Sequence, residues 1–250
     1  MSDQPAYIYG KNPLIEQLRN RPDKVEKVFL RKNLRGGSIA DIESLASQHR
    51  IPVSFVPGGK LAELVGQVND QGVVALVSPV SYHDFSEWLE RLEPDSGTAV
   101  LLLDEIADPQ NFGAILRSAA AANLAAVIVP KHRQAPVNAT VMKTSAGTAG
   151  RIPIVRAGNL NQAIRQLKDQ KFWVAGLDQA ADQILWEMEA DRPLAFVIGS
   201  EGSGIRKKTG ELCDFHYRIP MANQVESLNA SVSAALVCYE WFRKKNSPGK

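Results

Sequence analysis

Short apolar segments alternate with helical segments from residue 98 onwards, and this alternation constrains the fold more than any other feature of the chain. Parallel strands joined by crossover helices are buried on both faces, so each reads as a continuous apolar run. The pattern predicts an α/β fold with a mostly parallel sheet covered on both faces. The predicted strands are Ala99–Leu103, Ala126–Val129, Ile152–Val155, Trp173–Leu177, Leu194–Ile198 and Tyr217–Ile219. The predicted helices are Phe112–Ala122, Asn138–Lys143, Leu160–Lys168, Lys207–Cys213 and Leu228–Phe242.

The first 80 residues predict a smaller α/β unit with its own strands and helices. A segment with one Arg and five acidic residues follows at 81–97, a net charge of −4, and it reads as a short amphipathic helix ending in a Pro/Gly break. We therefore predict an N-terminal domain over 1–80, a linker over 81–97 and a C-terminal domain over 98–250. The predicted N-terminal strands are Val25–Leu30, Val53–Val56 and Val73–Val77, and the predicted helices are Leu14–Leu18, Ser38–His49 and Lys60–Val65.

Composition narrows the classes of protein to consider. No apolar run approaches the roughly 20 residues of a membrane span, and the N-terminus lacks the regions of a signal peptide. Two cysteines, Cys213 and Cys238, form no disulfide framework, so we expect small core side chains and a cytoplasmic location. The net charge of +2 is too small to indicate nucleic-acid binding by itself.

Neither metal nor nucleophilic catalysis is indicated. The four histidines show no ligand spacing, and no Gly-x-Ser-x-Gly elbow occurs. We therefore expect no metal cofactor. The histidines are His49, His83, His132 and His216.

A basic cluster surrounds the first predicted strand and offers a phosphate-contacting edge. The alternative is an ordinary solvated surface. We select Lys24, Lys27, Arg31 and Lys32 as candidate RNA contacts.

Ligands of parallel sheets bind beyond the carboxyl ends of the strands, and the end of the first C-terminal strand is unusual. Asp108-Pro109 predicts a helix cap followed by a first-turn proline. Gly113 comes one turn before Arg117, so we expect it to leave room for a ligand to approach that guanidinium. Arg117 suits phosphate or a hydroxyl; the alternative is a surface ion pair.

A glycine-rich loop follows another predicted strand. Gly199, Gly202 and Gly204 predict close approach of the backbone to a ligand. The loop matches neither a Walker loop nor Gly-x-Gly-x-x-Gly. Because Glu201 stands inside it, a ligand with hydroxyls or positive charge is favoured over a polyphosphate.

A third polar segment lies where the last predicted strand gives way to the last helix. Ser227, Asn229 and Ser231 crowd into one helix start, although a single cap would suffice. An over-capped helix and a ligand site are equally compatible with this segment. The polar turn around Thr144 and Gly147 could line the same crevice.

Together, in this order, the three segments resemble the motifs of the SpoU (TrmH) branch of the SPOUT RNA methyltransferases. The segment that resembles the first motif is Asp108-Pro109-x-Asn111-x-Gly113-x-x-x-Arg117. The segment that resembles the second motif is Ile198-Gly199-x-Glu201-Gly202-x-Gly204. The third combines Ile219-Pro220-Met221 with Ser227-Leu228-Asn229-Ala230-Ser231. The N-terminal unit resembles the L30-like RNA-binding domain of branch members that 2′-O-methylate a guanosine in 23S ribosomal RNA.

The resemblance implies S-adenosylmethionine as methyl donor, a ribose 2′-hydroxyl in ribosomal RNA as acceptor, a homodimer and a deep trefoil knot. The implied catalytic residues are Asn111, Arg117, Glu201, Ser227 and Asn229. The implied donor-binding residues are Thr144, Gly147, Ile198, Gly199, Gly202, Ile219, Met221, Leu228 and Asn229.

Two departures from the family pattern and two alternative functions stay open. Asn223 stands where relatives often have Gly, and Asn tolerates the left-handed backbone that such a turn needs. Ala230 stands where relatives frequently have Val, and both residues are small and apolar. The alternatives are a transfer-RNA 2′-O-methyltransferase of the same family and a non-catalytic RNA-binding protein.

Overall fold

The computed structural model describes residues 6–78, 80–223 and 225–246. Two compact units make up the chain: Met1–Ser81 with Pro136–Ala139, and Tyr82–Ala135 with Thr140–Lys250. In chain order, the first unit contains β1 (Ala6–Tyr9), α1 (Lys11–Asn20), β2 (Val25–Arg31), α2 (Gly37–Gln48), β3 (Val53–Val56), α3 (Gly58–Val65) and β4 (Val73–Val77).

The first unit is built on a four-stranded sheet in the order β1-β4-β2-β3. β4 runs antiparallel to β1 and β2, whereas β2 and β3 are parallel. Alternation along β2 explains its packing: Val28 and Leu30 are fully buried against α1 and α2, while Lys27 and Phe29 are half-buried on the other face. The three predicted strands are confirmed. β1 was missed because it is a four-residue edge strand that depends on its pairing with β4.

The second unit is built on an eight-stranded sheet in the order β10-β12-β9-β11-β6-β7-β8-β5, and every described pairing in it is parallel. The parallel α/β prediction is therefore confirmed. Its strands are β5 (His83–Asp84), β6 (Ala99–Asp104), β7 (Ala126–Pro130), β8 (Ile154–Ala157), β9 (Trp173–Leu177), β10 (Gln183–Ile184), β11 (Leu194–Gly199) and β12 (Phe215–Arg218). Its helices are α4 (Phe85–Glu90), α5 (Pro109–Ala121), α6 (Ala139–Thr144), α7 (Leu160–Asp169), α8 (Lys207–Gly210) and α9 (Ala230–Asn246).

Part of the segment predicted as a linker is built into the second unit. β5 pairs with β8, and Phe85 and Leu89 of α4 are buried in the core that includes α7. An amphipathic helix of six residues gains its stability from such packing, which the local charge pattern does not reveal.

The sheet order brings together the segments that follow β6, β11 and β12. β11 pairs with β6 on one side and β9 on the other, and β12 is the next strand beyond β9. Because all these strands are parallel, their carboxyl ends open at one edge of the sheet. α5 and α9 pack against each other.

None of the helices in the described ranges is long and apolar enough to span a bilayer. The trefoil knot stays a prediction.

Candidate functional site

The site is organised by three side chains from distant parts of the chain. Asn111, in the first turn of α5, donates a hydrogen bond from Nδ2 to Glu201 Oε1 at 2.9 Å. Asn229 donates from Nδ2 to Asn111 Oδ1 at 2.9 Å and also to Glu201 Oε1. The three segments that sequence analysis selected separately therefore meet in one hydrogen-bonded cluster, which we call the Asn–Glu–Asn cluster.

Asn229 is also the cap of α9. Its Oδ1 accepts hydrogen bonds from Ser231 N at 2.9 Å, Ser231 Oγ at 2.6 Å and Val232 N at 3.4 Å. The oxygen thus accepts hydrogen bonds from backbone N–H groups at the start of α9 that have no partner within the helix, while the nitrogen donates to the other two members of the cluster. The helix-cap interpretation of this segment is therefore confirmed, and the ligand-site interpretation stays a prediction. Ser227 lies outside this capping network.

The start of α5 follows the sequence prediction. Asp108 Oδ1 accepts a hydrogen bond from Gln110 N at 2.8 Å, so Asp108 is the cap, and Pro109 is the first helical residue. Asn111 is only 7% exposed, so its side-chain amide is buried and needs hydrogen-bond partners, which the other two members of the cluster provide.

The expected role of Gly113 is wrong. A Cβ built on Gly113 would lie 2.8 Å from Thr144 Cβ and 2.9 Å from Val141 O, so the end of α6 occupies the space beside this glycine. Gly113 permits close packing between α5 and α6 and does not open a path to Arg117. Arg117 itself is exposed and forms no ion pair with any residue in the described ranges, so the surface ion pair that was its alternative is absent there.

The glycine-rich loop folds back on itself. Ser200 N donates to Gly204 O at 3.2 Å, and Gly204 N donates to Ser200 O at 2.9 Å. A Cβ on Gly199 would lie 2.0 Å from the carbonyl carbon of Gly204, so the packing of the loop already requires glycine at this position. The ligand contact expected of Gly199 stays a prediction. Gly202 has open space around its Cα and keeps the expected freedom toward a ligand.

An ion pair anchors this loop, and sequence reasoning missed it. Asp104, 1% exposed at the end of β6, accepts hydrogen bonds from Arg206 N at 3.0 Å and Arg206 Nε at 2.7 Å. The hydrogen bond to Asp104 raises the pKa of Arg206. Arg206 also pairs with Glu105 at 3.0 Å. The available signal was a carboxylate directly after an apolar strand, a position where burial demands a partner.

Beside the cluster lies a cavity of about 630 Å³, within the range of small-molecule sites. Its lining includes the acidic residues Asp178, Glu201 and Glu226 and the basic residue Lys207. Its lining also contains seven predicted site residues, which are Ile198, Gly199, Glu201, Gly202, Ile219, Ser227 and Leu228. Among the residues described, its lining does not contain the other predicted site residues, which are Asn111, Arg117, Thr144, Gly147, Met221 and Asn229.

Two of these other residues have a clear structural place. Thr144 ends α6 and packs beside Gly113, and Gly147 adopts a left-handed backbone with φ +76° at the start of a 3₁₀ turn. Asn223 has φ +55°, so the prediction that it takes the left-handed place of a glycine is confirmed.

The candidate RNA contacts all lie in the first unit, along or beside β2. Lys27 and Arg31 are on the strand, Lys24 ends the 3₁₀ turn before it, and Lys32 follows it.

No group of three or more His, Cys, Asp or Glu side chains in the described ranges is placed to hold a metal ion. Burial raises the pKa of the Cys213 thiol and of the Cys238 thiol to about 12, so neither thiol is a ready nucleophile.

The two units, including the parallel sheet with three polar segments at its carboxyl edge, correspond to two known protein families. Residues 98–239 match the SpoU rRNA Methylase family, and residues 7–83 match the RNA 2′-O ribose methyltransferase substrate-binding domain. The chain therefore belongs to the SpoU family of RNA methyltransferases, which is also called the TrmH family.

Relatives assigned to the TrmH family of tRNA/rRNA methyltransferases align along nearly the whole chain. YacO of Bacillus subtilis (strain 168) is 38% identical over 252 residues, covering 100% of both chains. The Staphylococcus aureus (strain MSSA476) relative is 40% identical over 227 residues, covering 90% of this chain and 91% of its own.

Solved structures share the fold. The SpoU methyltransferase AviRb from Streptomyces viridochromogenes, in complex with AdoMet, superposes with a TM-score of 0.62 at 23% identity, covering 98% of this chain and 92% of its own. The AdoMet-bound rRNA methyltransferase from Sinorhizobium meliloti gives a TM-score of 0.60 at 20% identity, covering 97% and 88%.

Proposed function

We propose that this protein uses S-adenosylmethionine to methylate a ribose 2′-hydroxyl, that of a guanosine in 23S ribosomal RNA, in the cytoplasm. The observation that carries the proposal is the Asn–Glu–Asn cluster, in which Glu201 belongs both to the cluster and to the cavity wall. One carboxylate thus connects the start of α5 to a pocket of cofactor size. The AdoMet named with AviRb and with the Sinorhizobium enzyme supports the same donor here.

The cavity fits this donor by the chemistry of its lining. Ile198, Ile219 and Leu228 offer apolar surface to an adenine base, and Lys207 offers a cation to a carboxylate. The negative charge of Glu201 favours a cationic ligand, as sequence analysis expected. When bound, S-adenosylmethionine supplies a methyl group on a positively charged sulfonium.

On the acceptor side the chain must orient a ribose and stabilise the charge that develops on its oxygen. Arg117 remains protonated, so it is a poor base but a suitable cation for an adjacent phosphate and for a developing alkoxide. Arg117 is free for this purpose, since no described residue forms an ion pair with it. Asn111, Glu201 and Asn229 hold the first turn of α5, from which Arg117 lies about 9 Å further along the helix.

We further propose a homodimer formed through α9. Val232 and Tyr239 of this helix are 46% and 52% exposed, and Leu236 lies between them at helical spacing. Apolar side chains that recur on one exposed helix face favour a protein interface over contact with water.

Replacing Arg117 tests the catalytic proposal. Arg117→Ala should keep donor binding in calorimetry while methyl transfer from tritiated donor falls by about 10²–10³-fold. Arg117→Lys, which keeps the charge but not the planar fork, should retain part of the activity. Near-normal transfer by Arg117→Ala would remove this residue from the mechanism.

Purified RNA classes test the substrate. Tritium should enter large-subunit ribosomal RNA and not transfer RNA, and mapping should find a 2′-O-methylguanosine that is lost in a deletion strain. Incorporation into transfer RNA would favour the alternative within the family. Absence of donor binding would favour a non-catalytic RNA-binding protein.

A further inference from the structure

The face of β2 that points away from α1 and α2 combines one aromatic ring with two cations. Lys27, Phe29 and Arg31 alternate along this face with the buried Val28 and Leu30. α3 packs against the same face near Arg31, and Lys27 and Phe29 are half-buried there while Arg31 is exposed. β2 lies inside the sheet between β4 and β3, which makes this face a rigid platform and not a loop.

Phe29 is half-buried, and its ring is in contact with a cation. Lys27 Nζ lies 5.1 Å from the ring centroid. A cation–π contact at a surface is weak, so a stronger ligand of the ring can displace the ammonium. Lys27 forms no ion pair with any residue that the structure describes, and it would be available to an incoming anion.

Arg31 follows Phe29 two residues further along the same face of β2. A Cβ on Gly58 or on Gly72 would lie 3.3 Å from atoms of the Arg31 side chain, so two glycines make room for it. Arg31, too, has no ion-pair partner within the described ranges. Two uncompensated cations therefore flank one aromatic ring along a single strand.

We propose that Phe29 is a stacking site for an unpaired base of the RNA substrate, with Lys27 and Arg31 contacting the phosphates on either side. This inference rests on the proposed function, in which the substrate is RNA. Aromatic rings with interleaved basic residues bind single-stranded nucleic acid through stacking and backbone charge. Bases inside an A-form duplex do not present a free face, so the class of substrate is RNA with an unpaired nucleotide in a loop or bulge. Lys27 holds the ring in the free protein and moves to a phosphate when the base stacks.

Binding of the full-length protein to two RNA probes tests this assignment: a hairpin with an unpaired loop and a fully paired duplex of the same length. Phe29→Leu keeps the apolar packing but removes the π face, and it should weaken hairpin binding about tenfold with duplex binding unchanged. Phe29→Trp should restore hairpin binding, which separates loss of stacking from loss of folding. The matched control is Phe55→Leu, because Phe55 is 52% exposed on β3 beside Leu30 and away from the two cations.

The lysine gives a second measurement. Lys27→Gln should weaken both probes alike and lower the slope of log K against log salt by about one. An equal loss on both RNAs for Phe29→Leu, or no loss, would overturn the stacking site and leave the proposed function intact. Failure of the unmodified protein to bind either probe would instead contradict the RNA substrate itself.

Discussion

Asn229 donates a hydrogen bond to Asn111 across 118 residues of sequence, at 2.9 Å, and thereby ties the start of α9 to the start of α5. Its oxygen meanwhile caps α9. Stability and site geometry therefore depend on different atoms of one side chain.

Substitution can separate these two roles. Asn229→Ala removes cap and cluster together, whereas Asn229→Ser keeps a good cap but loses the amide donor. We expect the serine variant to be more stable than the alanine variant by about 1 kcal/mol in urea unfolding. Both variants should lose methyl transfer by about a hundredfold. Wild-type activity in Asn229→Ser would show that the cluster does not position the site.

Gly113 should not tolerate a methyl group. Alanine normally stabilises a helix relative to glycine, but here the added Cβ meets Thr144 and the Val141 carbonyl. We expect Gly113→Ala to lower the free energy of unfolding by about 1–3 kcal/mol. Gly59→Ala in α3 is the control, since a Cβ there meets nothing within 4 Å, and it should be neutral or stabilising. Equal stability of the two variants would contradict the close packing of α5 on α6.

Buried thiols predict a loss of stability at high pH. The pKa of Cys238 is raised to about 12 by burial, from an ordinary value of 9.0. Above pH 9 the unfolded thiol loses its proton while the folded thiol keeps it, so the stabilisation present below pH 9 declines as the pH rises toward 12. Urea unfolding under reducing conditions should show a decline from pH 8 to 10 that is shallower in Cys238→Ala, whatever the absolute stability of that variant. The same slope in both proteins would assign the decline to other groups.

The exposed face of α9 predicts self-association. Tyr239→Asp places a charge in the proposed dimer contact and should yield monomers in light scattering, while the thermal melt of each chain changes little. Val68→Asp is the control, because Val68 is 37% exposed in the first unit. A Tyr239→Asp protein with the same mass in solution as the unmodified protein would place the interface elsewhere.

Features that depend on neighbouring residues were predictable. Asp108 caps the next turn, Asn223 takes a left-handed backbone, and the apolar runs form parallel strands. The cap and the left-handed residue depend on residues within a few positions, where sterics and hydrogen bonding are local. The parallel strands follow from apolar runs that such sheets bury on both faces. The resemblance to family motifs added the expectation that the three polar segments form one site.

Features that depend on strand order required the tertiary structure. The contacts between Asn111 and Glu201 and between Asp104 and Arg206 join residues 90 and 102 positions apart. The neighbours of Gly113 likewise belong to α6 and the residue after it, which no local pattern places beside α5. The sequence by itself determined most of the helices and strands, the cap of α5 and the candidate side chains. Only tertiary packing decided which of these side chains meet, because the space around a residue is set by elements far away in the chain.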